Sequence, residues 1–89
     1  MAKQNKQKCM VIFTIINGKK NYIENTTNRF DNKKIPEYST DVNNAIPFLT
    51  MKEIEIFSNK LHNPYNRKFE MDMANLVIKE VALPNPDLN

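Results

Sequence analysis

Several residue types on which catalytic and cofactor sites depend are scarce in this 89-residue chain, which has one glycine, one cysteine, one histidine and no tryptophan. A single glycine excludes the glycine-rich phosphate loops of nucleotide-binding proteins. One cysteine excludes an internal disulfide, and one cysteine with one histidine excludes a zinc site of the usual Cys/His type within one chain. We therefore expect no metal and no cofactor, and stability that comes from packing alone or from packing with a partner subunit.

The remaining candidates for catalysis have structural explanations. Cys9 opens an apolar run, where a cysteine is usually a small core residue. His62 falls at the expected end of a helix, where its partial positive charge suits the helix dipole. Glu70 and Asp72 share one face of a predicted strand, which is more often a solvated face than a metal site. The sequence therefore predicts a protein that is not an enzyme.

Long apolar runs are also absent. No stretch approaches the roughly 20 apolar residues of a transmembrane helix, and the run at 9–16 lacks the cleavage site of a signal peptide. A lone cysteine is typical of a reducing compartment. We predict a cytoplasmic protein that does not contact a membrane, with one domain at 9–83 between disordered tails at 1–8 and 84–89.

The first structural element that the sequence predicts is a β-hairpin. Asn17-Gly18 separates two β-like runs, at 9–16 and at about 19–25, and both turn residues tolerate the positive φ of a type I′ turn. The first run is apolar on both faces, and such a strand is normally covered on both. The loop at 30–48, a second subunit or a binding target could supply the second cover.

One main helix follows. Thr50 and Glu53 form a capping box, which predicts a helix from Met51 to about His62, and its apolar face packs on the sheet. Residues 26–40 read as an irregular connection that Phe30, Ile35 and Tyr38 pin to the sheet. Residues 41–45 read as one helical turn capped by Thr40 or Asp41, and 46–48 as extended.

The C-terminal part completes an α+β fold. Residues 69–73 alternate between apolar and acidic, and 76–83 form a second β-like run. They predict two strands joined by a turn or one strand with a bulge, and a helix over 73–83 is the alternative. The resulting fold class is an antiparallel sheet, made of the N-terminal hairpin and one or two C-terminal strands, packed against one main helix.

Charge is distributed unevenly along the chain. Residues 1–34 hold eight Lys/Arg against two Asp/Glu, whereas residues 35–89 hold five against eight. The first half therefore favours an acidic partner, with a solvated surface as the alternative. Because phosphates attract Lys/Arg and bases stack on aromatics, the candidate interaction residues are cations with neighbouring tyrosines: Lys19, Lys20, Tyr22, Arg29, Lys33, Lys34, Tyr65, Arg67 and Lys68.

The stretch at 40–63 carries a resemblance. Thr40, Asp41, Val42, Ala45, Phe48, Thr50 and Glu53 match a pattern T-D-(I/V)-x-x-A-x-x-F-x-(T/S)-x-x-E-A, with Ile54 where alanine is usual. The pattern resembles that of small accessory proteins of phages and prophages of low-GC Gram-positive bacteria. The abundant Asn, Lys and Ile agree, because these residues use AT-rich codons. Some small phage proteins of this size inhibit host defences, including CRISPR–Cas effectors.

Three functional hypotheses follow. The first is a phage-type binding protein that inhibits or modulates a host protein or nucleoprotein complex. The second is a small nucleic-acid-binding protein that uses the basic first half of the chain. The third is a structural homo-oligomer in which an exposed sheet edge pairs with its mate.

Overall fold

The computed structural model describes residues 6–29 and 31–78, which form four strands, one short 3-10 turn and one α-helix. In chain order these are β1 Lys6–Ile16, β2 Lys19–Asn28, β3 Lys34–Ser39, the 3-10 turn Val42–Asn44, α1 Met51–Asn59 and β4 Glu70–Val77. The strands form one antiparallel sheet in the order β3-β2-β1-β4. The predicted α+β fold is confirmed. Phe30 and the expected tail at 84–89 lie outside the described residues.

The hairpin between β1 and β2 forms as predicted. Asn17 and Gly18 adopt φ values of 53° and 78°, which are those of a type I′ turn. Ile16 pairs with Lys19 to close the turn. A two-residue turn of this hand matches the twist of the strands, so it sets the register of the whole hairpin.

The sheet buries apolar side chains on both faces. On the face that carries α1, called the helix face, Ile12, Ile23 and Phe48 form a core together with Ile54, Phe57 and Leu61, among others. On the other face Cys9, Val11, Ala45 and Leu76 form a second core, with Val42 packed against it. Of the three expected covers for the second face of β1, the loop is the one that the structure uses, because Val42 and Ala45 belong to it.

The same loop separates the two hairpin strands. β1 and β2 pair only near the turn, from Phe13 to Ile16. Farther from the turn, Met10 exchanges two backbone hydrogen bonds of 2.8 Å with Phe48, and the Ile46 N–H donates to the Ile23 carbonyl at 3.0 Å. The extended segment at 46–48 therefore fills the gap between the strands and satisfies backbone groups on both.

Two expectations about the connection between the hairpin and the helix are corrected. β1 begins at Lys6, so Lys6, Gln7 and Lys8 belong to the strand and not to a disordered segment, as had been predicted for residues 1–8. The region 26–40 is not irregular, because β2 continues to Asn28 and β3 pairs with it from Lys34 to Ser39. Asp41 caps the 3-10 turn by accepting from the Asn43 N–H, as predicted.

Two expectations about the C-terminal half are corrected as well. α1 ends at Asn59 and not near His62, because Lys60 and His62 turn their backbone groups to Lys34 of β3. β4 is one strand with an unbroken register against β1 from Glu70 to Val77, with no turn or bulge. The alternative helix is wrong over 73–78, and 79–83 lie outside the described residues. No helix formed by the described residues has the length and apolar character needed to cross a membrane.

The capping box of α1 supplies a first testable prediction. The Glu53 N–H donates to Thr50 Oγ1 at 3.2 Å, and Glu53 Oε1 accepts from the Thr50 N–H at 3.0 Å. Thr50→Ala leaves an N-terminal amide of the helix without its acceptor, so it should lower the free energy of unfolding by about 1 kcal/mol. Urea denaturation followed by circular dichroism measures the loss. Thr40→Ala, at an exposed threonine outside the helix, is the control, and equal losses in both variants would contradict the capping role.

Candidate nucleic-acid interface

A basic groove runs along the side of the molecule where the β2–β3 turn, the chain after α1 and the loop before β4 meet. Its cations and aromatics line three depressions, and we define the basic groove by them: Arg29, Lys34, Tyr38, Lys60, Tyr65, Arg67 and Lys68. Arg29, Lys34 and Lys60 line the near depression. The middle and far depressions adjoin each other, since Tyr65 and Arg67 line both, with Tyr38 in the middle one and Lys68 in the far one. Arg29 of the near depression contacts His62 of the middle one.

The near end of the groove is built on the outer edge of β3. The Lys34 N–H donates to the Lys60 carbonyl at 2.8 Å, and the His62 N–H donates to the Lys34 carbonyl at 2.7 Å. This short parallel pairing brings Lys60 from the end of α1 beside Lys34. The Lys34 ammonium also donates to Asn28 Oδ1 at 2.7 Å. Two cations that lie 26 positions apart in the sequence are therefore neighbours at the surface of the protein.

Arg29 and His62 join the near and middle parts of the groove. The Arg29 Nη1 lies 2.5 Å from His62 Nε2 and 2.9 Å from His62 Nδ1, and the Arg29 Nε lies 3.3 Å from Asp31 Oδ1. The guanidinium is therefore held in place from two sides, although Asp31 offsets part of its charge.

The middle of the groove is organised around Arg67. The Asn63 side chain fixes its backbone twice, because Oδ1 accepts from the Arg67 N–H and Nδ2 donates to the Arg67 carbonyl, both at 2.8 Å. Asn66, with φ of 50°, makes the tight turn that this clamp needs. The Arg67 guanidinium carbon lies 5.3 Å from the ring centroid of Tyr65 and 6.0 Å from that of Tyr38. These distances are those of cation–π contacts.

The two tyrosines of the groove differ in exposure. Tyr65 is 78% exposed, so a ligand can reach its ring next to the Arg67 guanidinium. Tyr38 is half-buried against the helix-face core, and burial raises the pKa of its hydroxyl, while the charge of Arg67 acts in the opposite direction. The Tyr38 hydroxyl therefore remains protonated near neutral pH and can donate a hydrogen bond.

The far end of the groove is anchored to the hairpin. The buried Thr14 hydroxyl donates to the Lys68 carbonyl at 2.9 Å, which fixes the loop before β4 against β1. Ile15, which is 50% exposed, lines this end beside Lys68. Glu70 also lines it, so the positive surface ends there.

The candidate interaction residues do not all lie together. Arg29, Lys34, Tyr65, Arg67 and Lys68 line the groove, and Lys33 lies in the same β2–β3 turn, where its N–H donates to Asp31. The hairpin residues Lys19, Lys20 and Tyr22 line none of the three depressions.

Two of the hairpin residues have other contacts. The Lys20 ammonium lies 4.6 Å from the Phe13 ring centroid and 3.2 Å from Asp72 Oδ2. The hydrogen bond from Lys20 holds the pKa of Asp72 low and raises that of Lys20. Tyr22 packs beside Phe13 with ring centroids 6.0 Å apart. Both side chains therefore help to cover the face of the sheet that lies opposite the helix face.

Two residues of the basic groove, and the histidine that lines it beside them, were not among the candidate interaction residues. Lys60 and His62 lie in the groove because the chain after α1 pairs with β3. No local sequence signal predicts that pairing. Tyr38 was expected to pin a loop, and it does pack on the core, but the neighbouring Arg67 comes from a segment 29 positions away.

The cysteine of the chain lies away from the groove. Cys9 is 2% exposed in the core, and burial raises the pKa of its thiol, which disfavours the reactive thiolate. Within residues 6–29 and 31–78, no three His, Cys, Asp or Glu side chains are grouped so that they could hold a metal ion. Comparisons with protein families, curated proteins and solved structures gave no match for this chain.

Proposed function

We propose that this chain is a non-catalytic binding protein whose basic groove holds a single-stranded nucleic acid. The observation that carries the proposal is that five Lys/Arg side chains and an exposed tyrosine ring line the three neighbouring depressions of the basic groove. Proteins that bind single strands combine a positive groove that follows the backbone with aromatic rings on which bases stack. Arg67 and Tyr65 offer the two functions side by side.

A single strand fits this surface better than a duplex does. Duplex readers usually place a basic helix in the major groove, whereas α1 carries Lys52 with Glu53 and Glu55, and the groove cation nearest to it, Lys60, follows its last residue. The groove is formed by loops and a strand edge instead. Base stacking on Tyr65 needs an unpaired base.

The biological role that we propose is a phage-type modulator that acts in the cytoplasm of a bacterial host on a complex containing such a strand. This is the first functional hypothesis, with the basic groove as the binding surface. A small nucleic-acid-binding protein that acts by itself is the second candidate, and the same groove favours it. Affinity for the isolated strand separates the two, because a modulator of a complex binds the assembled complex at least about tenfold more tightly, a difference of about 1.4 kcal/mol.

Salt dependence tests the proposal. Fluorescence anisotropy with labelled 12-nucleotide single strands of DNA and RNA measures the affinity at several salt concentrations. If the five groove cations contact three to five phosphates, log K should fall against log salt with a slope of about −2 to −3.5. A slope shallower than about −1, or an equal affinity for an oligo-glutamate of the same charge, would contradict binding of a nucleic acid by this groove.

A further inference from the structure

The middle depression of the basic groove differs in composition from the near one. Ring-bearing side chains form much of its lining: Pro36, Tyr38, His62, Pro64 and Tyr65. Arg67 adds a guanidinium, and no Asp or Glu is among the described residues that line the depression. The described residues around the near depression are cations and asparagines, without a ring. The middle depression therefore suits a flat group such as a base, whereas the near one suits phosphates.

The Arg67 guanidinium keeps its hydrogen-bond donors for a ligand. Within residues 6–29 and 31–78 it forms neither a hydrogen bond nor an ion pair, and its neighbours are the rings of Tyr65 and Tyr38. A cation–π contact is an attraction between charge and ring, so it uses no N–H group. Asn63 holds the backbone of Arg67 at both its N–H and its carbonyl. The loop therefore presents a planar fork of donors beside an exposed ring.

A fork of donors selects among the edges of the bases. Guanine presents two neighbouring acceptors, O6 and N7, whereas adenine presents N7 beside an amino donor. Thymine and uracil carry an N–H between their two carbonyls, so they offer no neighbouring pair of acceptors. Cytosine does offer such a pair, O2 and N3, but its single ring covers less of a tyrosine than a purine does. Guanine therefore combines the acceptor pair with the larger stacking surface.

We propose that the middle depression binds one guanine base of the strand, with the Arg67 guanidinium donating to O6 and N7 and the neighbouring Tyr65 ring packing against the base. This inference rests on the proposed function, because it names the base that the groove prefers. Lys34 and Lys60 in the near depression and Lys68 in the far one contact the phosphates on either side. The groove then holds the backbone along its length and distinguishes bases at one position.

Short strands that differ at one base test the proposal. Each is a six-nucleotide DNA of thymines with one variable base at the third position, so few alternative registers compete, and anisotropy competition at low salt measures the affinities. The guanine strand should bind at least about fivefold more tightly than the adenine strand, which has a purine of the same size but lacks the acceptor pair. Inosine keeps O6 and N7 and should match guanine, whereas 7-deazaguanine lacks N7 and should match adenine.

Arg67→Lys separates the donor fork from the charge. Lysine keeps the positive charge but has no planar fork, so the ratio of the guanine affinity to the adenine affinity should fall to about twofold or less. The Asn63 clamp holds the backbone and not the guanidinium, so the loop keeps its shape, and thermal melts verify folding. Arg29→Lys is the matched control at the other arginine of the chain. It lines the near depression, so it should weaken both strands alike and keep the ratio.

Failure of the guanine pocket can be distinguished from failure of the proposed function. Equal affinity for the guanine and adenine strands, or tighter binding of the cytosine strand, overturns the pocket. So does a guanine preference that Arg67→Lys leaves unchanged, or one that Arg29→Lys removes to the same extent. In each of these cases the strands still bind, and the groove keeps its proposed function. If no strand binds at low salt, including the 12-nucleotide strands, the proposed function is wrong and the pocket is wrong with it.

Discussion

Replacing Lys34, Lys60 and Lys68 together by glutamate should lower the affinity for a single strand by roughly a hundredfold or more at low salt. The three ammonium groups lie at the near and far ends of the basic groove, so each reversal replaces a phosphate attraction with a repulsion. The salt slope should also become shallower by about 2, since three phosphate contacts are lost at about 0.7 each. Anisotropy titrations at several salt concentrations measure both quantities.

A matched variant distinguishes the effect of the groove on affinity from the effect of net charge. Lys8→Glu/Lys19→Glu/Lys52→Glu changes the same number of exposed lysines at positions outside the groove, so it should lower the affinity by less than about fivefold. Lys19 was a candidate interaction residue, and this control therefore also tests the hairpin. Equal losses in the two triple variants would mean that affinity follows net charge and would remove the groove from the proposal.

The base-stacking part of the proposal can be tested at Tyr65 within the same series. Tyr65→Ala should cost about 1–3 kcal/mol of binding free energy, while Tyr65→Phe should keep most of it, because the ring face is retained. Tyr65 is 78% exposed, so its truncation leaves the core intact and any loss reports on binding. Equal losses for alanine and phenylalanine would show that the hydroxyl, and not the ring, makes the contact.

Truncating Ile23 to alanine should have the largest effect on stability. Ile23 is 0% exposed and packs in the helix-face core with Ile12 and Phe48. Removing its outer carbons leaves a cavity in the helix-face core, so the free energy of unfolding should fall by about 3–4 kcal/mol. A domain of this size has roughly 5–10 kcal/mol to lose, so Ile23→Ala should melt far below the wild-type temperature.

Ile56→Ala is the matched control for the core. It is the same substitution at a residue of α1 that is 49% exposed, and it should cost less than about 1 kcal/mol. Urea denaturation of both variants with a common m-value measures the difference. Similar midpoints for the two variants would mean that Ile23 does not anchor the core.

Local sequence signals predicted several elements correctly. Asn17-Gly18 specified the hairpin through its positive φ values, and Thr50 with Glu53 specified the start of α1 through hydrogen bonds within one turn. The continuous apolar run of β1, which does not alternate, indicated that both of its faces are covered. Each of these signals depends on neighbours in the chain, so the sequence is sufficient to read it.

The elements that were misread depend on distant partners. β3 contains Pro36 and lacks a clear apolar alternation, so only its pairing with β2 reveals it as a strand. α1 was expected to reach His62, but Lys60 and His62 form hydrogen bonds with Lys34 instead. β4 is a single strand because β1 supplies eight successive partners to it. Backbone hydrogen bonds with a remote strand outweighed local preference in all three cases.

The candidate site likewise combines features that the local sequence predicts with features that depend on distant partners. The sequence determined the fold class, the hairpin, the scarcity of catalytic residue types and the presence of cations beside tyrosines, because composition and short-range spacing carry that information. Only the tertiary structure decided which cations share a surface. It separated Lys19 and Lys20 from Arg29 and Lys34, and it added Lys60, because a groove is formed by segments that meet through long-range pairing and packing, which the order of residues along the chain does not specify.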